Sequence, residues 1–163
     1  MALIVSLVKN VKLMNNNTEL FELIECELTQ IVFENNTDYI VAIHAKEEEW
    51  GIPLNSYDGT ILTFVDTGCA EFAHINTIHQ LYMKLKKECK FELERVIIEA
   101  KYGDVFYCRL HWKNKDNNIY NTCGIGDALI LHRLNLSPMF ITKNVLAQLE
   151  KFDSDGFVET FEF

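Results

Sequence analysis

The stretch RVIIEAKYGDVFYCRLHW at 95–112 constrains the fold more than any other part of this chain. Beyond the turn signal Tyr102-Gly103-Asp104, Phe106, Cys108, Leu110 and Trp112 alternate with Tyr107, Arg109 and His111. Successive side chains of a strand point to opposite faces, so this pattern predicts a hairpin with one buried face. His111 falls on the side left to solvent.

The rest of the chain is read around that hairpin. LIECELTQIVF alternates through Ile24, Cys26 and Leu28, ENNTD supplies turn chemistry, and YIVAIHA follows, which predicts a first hairpin. KEEEWGIPLNSYDG at 46–59 is polar and turn-rich and reads as an excursion, with TILTFV at 60–65 as a third strand. From about Gly68, Ala70, His74, Ile78, Leu81 and Leu85 recur at helical spacing as far as Glu88, with Asp66 or Thr67 as the cap. After the central hairpin, KNKDNN turns the chain and IYNTC makes another strand. A helix is expected over about 127–135, an extended piece at PMFI, and a further helix in TKNVLAQLEKF capped by Thr142. Three strands and a helix thus occur twice, a rhythm that suggests a duplicated unit within one α+β domain.

Composition narrows the function classes. The chain has 163 residues, of which 48% are hydrophobic, enough for one continuous core. No apolar run approaches the roughly 18–20 residues that span a bilayer, so no membrane partner is expected. MALIVSLVKNVKLM lacks basic residues ahead of its apolar segment and reads as a strand or extension rather than a signal peptide. The five cysteines form no CxxC pair, which fits reduced thiols and a cytoplasmic setting. A net charge of −9 disfavours general affinity for nucleic acid, although KLKKECK at 84–90 gathers four lysines, read as a solvated helix end.

Chemistry concentrates in NTCGIGDALILHRLNLSP at 121–138. Gly124, Gly126 and Asp127 stand where a polar stretch becomes an apolar helix. The spacing fails the glycine-rich phosphate-loop patterns, and a carboxylate stands where a phosphate would sit. The local reading is a helix start with Asp127 as N-cap; the same amides would serve an anion if Asp127 held a metal instead. Cys123, beside that helix start, is a conceivable nucleophile without an assignable base. Glu71 and His79 lie eight apart, on one side of a helix and about 12 Å apart along its axis. His132, in an apolar helix, reads as a satisfied buried imidazole.

Taken together, these segments resemble the bifunctional nuclease (BFN) family. Its I-G-x-x-E-A helix start is matched by TGCAEF, keeping Gly68 and Glu71, and its T-H-D-L motif by IHQL, keeping His79 and Leu81. ERVIIEAKYGDVFYCRLHW resembles its hairpin. Its hallmark D-A-R-P-S-D-A is matched by TCGIGDA, where Asp127-Ala128 survive and Thr122, Gly124, Ile125 and Gly126 replace Asp, Arg, Pro and Ser. The resemblance covers about 24–146. It divides the chain into an N-terminal strand or extension (1–23), a nuclease-like domain (24–150) and an acidic-aromatic tail (151–163). The stretch between Glu71 and His79 is shorter than the family's, and WGIPLNSYDG stands as extra.

The resemblance implies an α+β fold of duplicated three-strand-plus-helix repeats, joined in one barrel-like mixed sheet with helices packed against it, in a homo-oligomer, most simply a dimer. It implies metal-assisted hydrolysis of RNA or DNA phosphodiesters with Mg²⁺ or Mn²⁺. Asp127 would be the metal ligand, His79 the acid/base and Glu71 a supporting carboxylate. Gly124 and Gly126 would lie against substrate, and Arg133 would stand in for the lost arginine. The alternative is a binding or assembly module that keeps the fold without the chemistry.

Overall fold

The computed structural model describes residues 22–34, 38–68, 78–153 and 160–162. Its first half is a meander of β1 (Leu23–Glu34), β2 (Asp38–Ala45) and β3 (Glu48–Leu54), closed by helix α1 (Ser56–Asp66). Helix α2 (Ile78–Cys89) leads into a second meander of β4 (Glu92–Tyr102), β5 (Val105–Lys113) and β6 (Asn118–Cys123), closed by α3 (Ile125–Asn135). The chain ends with β7 (Met139–Thr142), the single turn α4 (Lys143–Leu146), β8 (Glu150–Lys151) and β9 (Thr160–Glu162).

The architecture is mixed α+β with one nine-stranded sheet in the order β6-β5-β4-β7-β1-β2-β3-β8, and β9 beside β1. Among the described residues, only β4 and β7 run parallel; every other pairing is antiparallel. β6 and β8 end the order without pairing to each other, so among the described residues the sheet is open, not the barrel the resemblance implies. β1 serves both halves: Leu23–Cys26 pair with β7, Glu27–Glu34 with β2, and Gln30–Val32 with β9 on the other edge. The tail therefore supplies a strand.

Both hairpins read from the sequence are present. In the second, Gly103 takes φ +59 at the turn and Phe106, Cys108, Leu110 and Trp112 are all buried. His111 departs from the reading: it is only 5% exposed, because the Tyr120 ring of β6 stacks on it at 4.4 Å and 6°.

The segment 46–66 needs the largest correction. The expected excursion is strand β3, reached through a two-residue turn with Lys46 at φ 53 and Glu47 at φ 65. Such a turn ordinarily uses asparagine or glycine, so its sequence signal is missing. TILTFV lies inside α1 rather than forming a strand. Asn55 caps that helix through Oδ1, which accepts from Asp58 N at 2.9 Å. The β-branched threonines are accommodated because Thr60 and Thr63 hydroxyls donate to Ser56 and Gly59 carbonyls one turn back. Asp66 and Thr67 end α1 instead of starting α2, and Gly68 follows at φ +60, a left-handed helix stop. Residues 69–77, including Glu71 and His74, lie outside the described residues, as do residues 1–21. The helix starting at Thr142 is also shorter than expected: after one turn the chain bends so that Leu149 enters the core and β8 joins β3.

α1 and α3 pack on each other over the sheet. Ala128, Leu129 and Ile130 are fully buried on consecutive positions of α3 and Leu131 is 5% exposed, so the middle of this helix is covered on all sides while Asp127 in its first turn is exposed. Among the described residues, no helix is long and apolar enough to cross a membrane.

Candidate active site

His79 of α2 meets the first turn of α3, against which the first turn of α1 packs. Gly124, with φ −73 and ψ 169, is the N-cap of α3 and makes no side-chain cap bond. Asp127 is therefore the third helical residue rather than the cap. A carboxylate in a first turn is favoured by the helix dipole, but this one turns away from its own amides. His79 Nε2 stands 2.8 Å from Asp127 Oδ1, across 48 residues of sequence, and donates to it. His79 is 3% exposed and Asp127 50% exposed. The imidazole is thus the buried partner and the carboxylate the presented one. Among the described residues, His79 Nδ1 is buried without a hydrogen-bond partner.

Asp58 completes the cluster. It is the third residue of α1, as Asp127 is of α3, and its Oδ2 accepts from Asn55 Nδ2 at 2.7 Å. Burial raises its pKa; the Asn55 bond lowers it, the Asp127 charge raises it and His79 lowers it, for a net upward shift. Its carboxylate fills the space beside Gly126, where a Cβ would lie 2.0 Å from Asp58 Oδ2. Gly126 is a glycine because Asp58 occupies its side-chain space. Asp58 was missed from sequence, although Asn55 followed by an acid three residues on is a helix-start signal.

A carboxylate whose folded pKa is raised binds more protons folded than unfolded. Its contribution is best at low pH and is lost as pH rises through the folded pKa. Asp58→Asn is accordingly expected to raise the melting temperature at pH 7, with the gain shrinking as pH falls into the carboxylate range. Thermal denaturation across that range checks it; an unchanged or lower melting temperature at pH 7 would contradict the burial cost.

Glu71 lies outside the described residues. Arg133 Nε donates to Asp66 Oδ1 at 2.5 Å, tying the end of α3 to the end of α1. It stands six residues, about 9 Å along the axis, beyond Asp127 and is not brought to it. At Gly124 a Cβ would meet nothing within 4 Å. Cys123 is half-buried, and burial, then the charge of Asp127, pushes its thiol up to about 12, so it carries no nucleophilic thiolate near neutral pH. His132 Nδ1 donates to the Ser137 carbonyl at 2.6 Å, the satisfied imidazole expected of it. Among the described residues, no three His, Cys, Asp or Glu side chains are grouped to hold a metal ion. Asp127 and Asp58 therefore do not form a Mg²⁺ or Mn²⁺ site as they stand.

No family model matches this sequence, and no curated protein sequence matches it.

Proposed function

We propose that this chain is a divergent bifunctional-nuclease-like domain whose retained chemistry is acid–base hydrolysis at the Asp127–His79–Asp58 cluster. The observation that carries the reading is the 2.8 Å bond from His79 to Asp127, which joins one retained position of the T-H-D-L motif to one of the hallmark motif. Asp58 strengthens it. LNSYDG sets an acid and a small residue after a helix cap, the pattern of the family's I-G-x-x-E-A start, so Asp58 takes the place first given to Glu71. WGIPLNSYDG then ceases to be extra, and the short interval before His79 disappears.

The roles follow from exposure. Asp127, half-exposed and held by His79, takes a proton from the attacking water as its oxygen adds to phosphorus. Asp58, whose burial favours its protonated form, gives a proton to the leaving oxygen. His79 is too buried to touch substrate and acts as a positioning residue. The duplicated architecture belongs to the same proposal: α1 and α3 are both 11 residues long, each follows a three-strand meander, and each carries its aspartate third. A homodimer and a cytoplasmic setting accompany it, the latter supported by Cys26, Cys89, Cys108 and Cys123 being free thiols.

One observation favours the non-catalytic module: Arg133 is engaged with Asp66, leaving two carboxylates at the site of a chain of net charge −9. Incubation of purified protein with single-stranded RNA and DNA, with and without Mg²⁺ or Mn²⁺, separates the readings. Hydrolysis is expected, with a loss of about 10²–10⁴ in rate for Asp127→Ala and a smaller loss for His79→Ala. Gly124→Arg, entering open space, is expected to raise the rate by supplying the missing cation. No hydrolysis by wild type or Gly124→Arg leaves the binding module as the function.

A further inference from the structure

We propose that β6 is the contact of a two-fold dimer in which Lys115 of the partner subunit serves the hydrolytic cluster. The lysine's role rests on the reading just given; the interface does not. β6 ends the sheet order, and among the described residues its outer edge pairs with nothing. Its six residues, NIYNTC, include no charge, no proline and no bulge, in a chain of which 24% of residues are charged. Those are the devices that keep a free edge from pairing, and their absence marks an edge with a partner. Ile119 is 41% and Tyr120 54% exposed, on its two faces. Helix α2 extends the patch. Met83 and Lys86 meet Asn135 of α3, while Tyr82 and Cys89 line a slot against Ile119. Leu81 projects about 100° from Tyr82, on the side away from α3, and is 52% exposed.

The ends of the strand select the occupant. Before β6, the turn carries Lys115, exposed and in no ion pair among the described residues, beside Asp116, and Lys113 lies 3.7 Å from Glu94. After β6, Gly124 opens α3 with Asp127 in its first turn and Asp58 against Gly126. A strand that is basic just before its start and acidic just after its end is complementary to an antiparallel copy of itself. A peptide strand of another protein is the competing occupant. A two-fold axis normal to the sheet keeps each face continuous, so residues pair with residues of the same face. Centred on Asn121, it sets Ile119 against the partner's Cys123 and Tyr120 against the partner's Thr122. Centred on Tyr120, it would set Ile119 against the partner's Asn121, polar on apolar. Lys115 and Asp127 lie six residues either side of Asn121. The favoured register therefore brings the partner's Lys115 to the first turn of α3. Asp127 and Asp58 are bonded to His79 and Asn55, neither a fixed cation. The partner's ammonium supplies the positive charge that the phosphoryl oxygens need as water adds to phosphorus.

The test is sedimentation equilibrium of the whole chain, alone and in mixtures. Wild type is expected to be a dimer. Asn121→Lys and Asn121→Glu each set like charges face to face across the axis, so each alone should weaken the dimer about tenfold or more. An equimolar mixture of the two should regain it, which neither a misfolded variant nor an edge that binds peptide would do. The shared site is read by hydrolysis. Asp127→Ala and Lys115→Ala should each lose activity, and their equimolar mixture should recover about a quarter of the wild-type rate. Half of the dimers are then mixed, and each of these holds one intact site. A monomer, or a dimer that both charge variants leave intact, overturns the interface. A dimer that responds as expected but shows no hydrolysis keeps the interface and removes the proposed chemistry. Hydrolysis with no recovery in the mixture keeps the chemistry and removes the partner's lysine from it.

Discussion

Gly126→Ala is expected to destabilise the protein by about 1–3 kcal/mol and to remove the hydrolytic activity with it. The added Cβ would lie 2.0 Å from Asp58 Oδ2, 2.2 Å from its Cγ and 2.6 Å from its Cβ. Rotating the carboxylate away relieves the first two contacts and breaks the bond from Asn55. It does not relieve the third, which is fixed to the backbone of α1. The helices must then separate at the point where Asp58 packs beside Gly126. Asp58→Ala in the Gly126→Ala background should therefore restore neither stability nor activity. Asp58→Gly should restore stability alone, with a coupling of about 1 kcal/mol or more in the double-mutant cycle. Urea denaturation of the four proteins, beside the hydrolysis assay, measures this. Additive costs for Gly126→Ala and Asp58→Gly would show that the two positions do not compete for the same space.

Gly59→Ala is expected to cost more, about 3 kcal/mol, the upper end for overpacking a core. Here the new Cβ falls within 2.1 Å of Tyr39 Cγ and 2.7 Å of its Cβ. Tyr39 is 8% exposed, its ring lies edge-on to Phe33 at 4.5 Å, and its hydroxyl bonds with Thr60 Oγ1 at 3.1 Å. Unlike the Asp58 carboxylate, which can rotate away, this ring has nowhere to go unless β2 moves. The denaturation midpoint should fall with an unchanged slope, the mark of lost stability without loss of two-state unfolding. A midpoint within experimental scatter of wild type would mean that α1 slides freely over β2.

These two glycines also show what was legible in the sequence. The meander of β4, β5 and β6 could be read because one face is buried and the alternation of Phe106, Cys108, Leu110 and Trp112 records it. α1 could not be read that way. Thr60, Ile61, Thr63 and Val65 carry strand propensity, and tertiary packing with side-chain bonds to the preceding turn overrides it. β3 was hidden by Gly51, by Pro53 and by a turn made from Lys46 and Glu47. Pro53 is tolerated because, among the described residues, β8 pairs only with Trp50 and Gly51, leaving that edge open at position 53. Two three-strand meanders are present, the first completed by β3 rather than by TILTFV; the helix expected as far as Glu88 is α2, and α1 is an additional helix. At the site, His79 and Asp127 were visible as residue types, but their contact spans 48 positions and no local pattern encodes it. Asp58 was visible as a helix-start acid once its segment was recognised as a helix.

The pairing of β1 has a consequence for cooperativity. Its first four residues bond to β7 beside the second meander, and the remainder bonds to β2 in the first. A fluctuation that frees either meander at this seam must break ladder bonds on a strand the other meander also needs. The two meanders are not separate foldons: the amides along β1 should open only with the whole molecule, and the helix starts that carry Asp58 and Asp127 share that single transition.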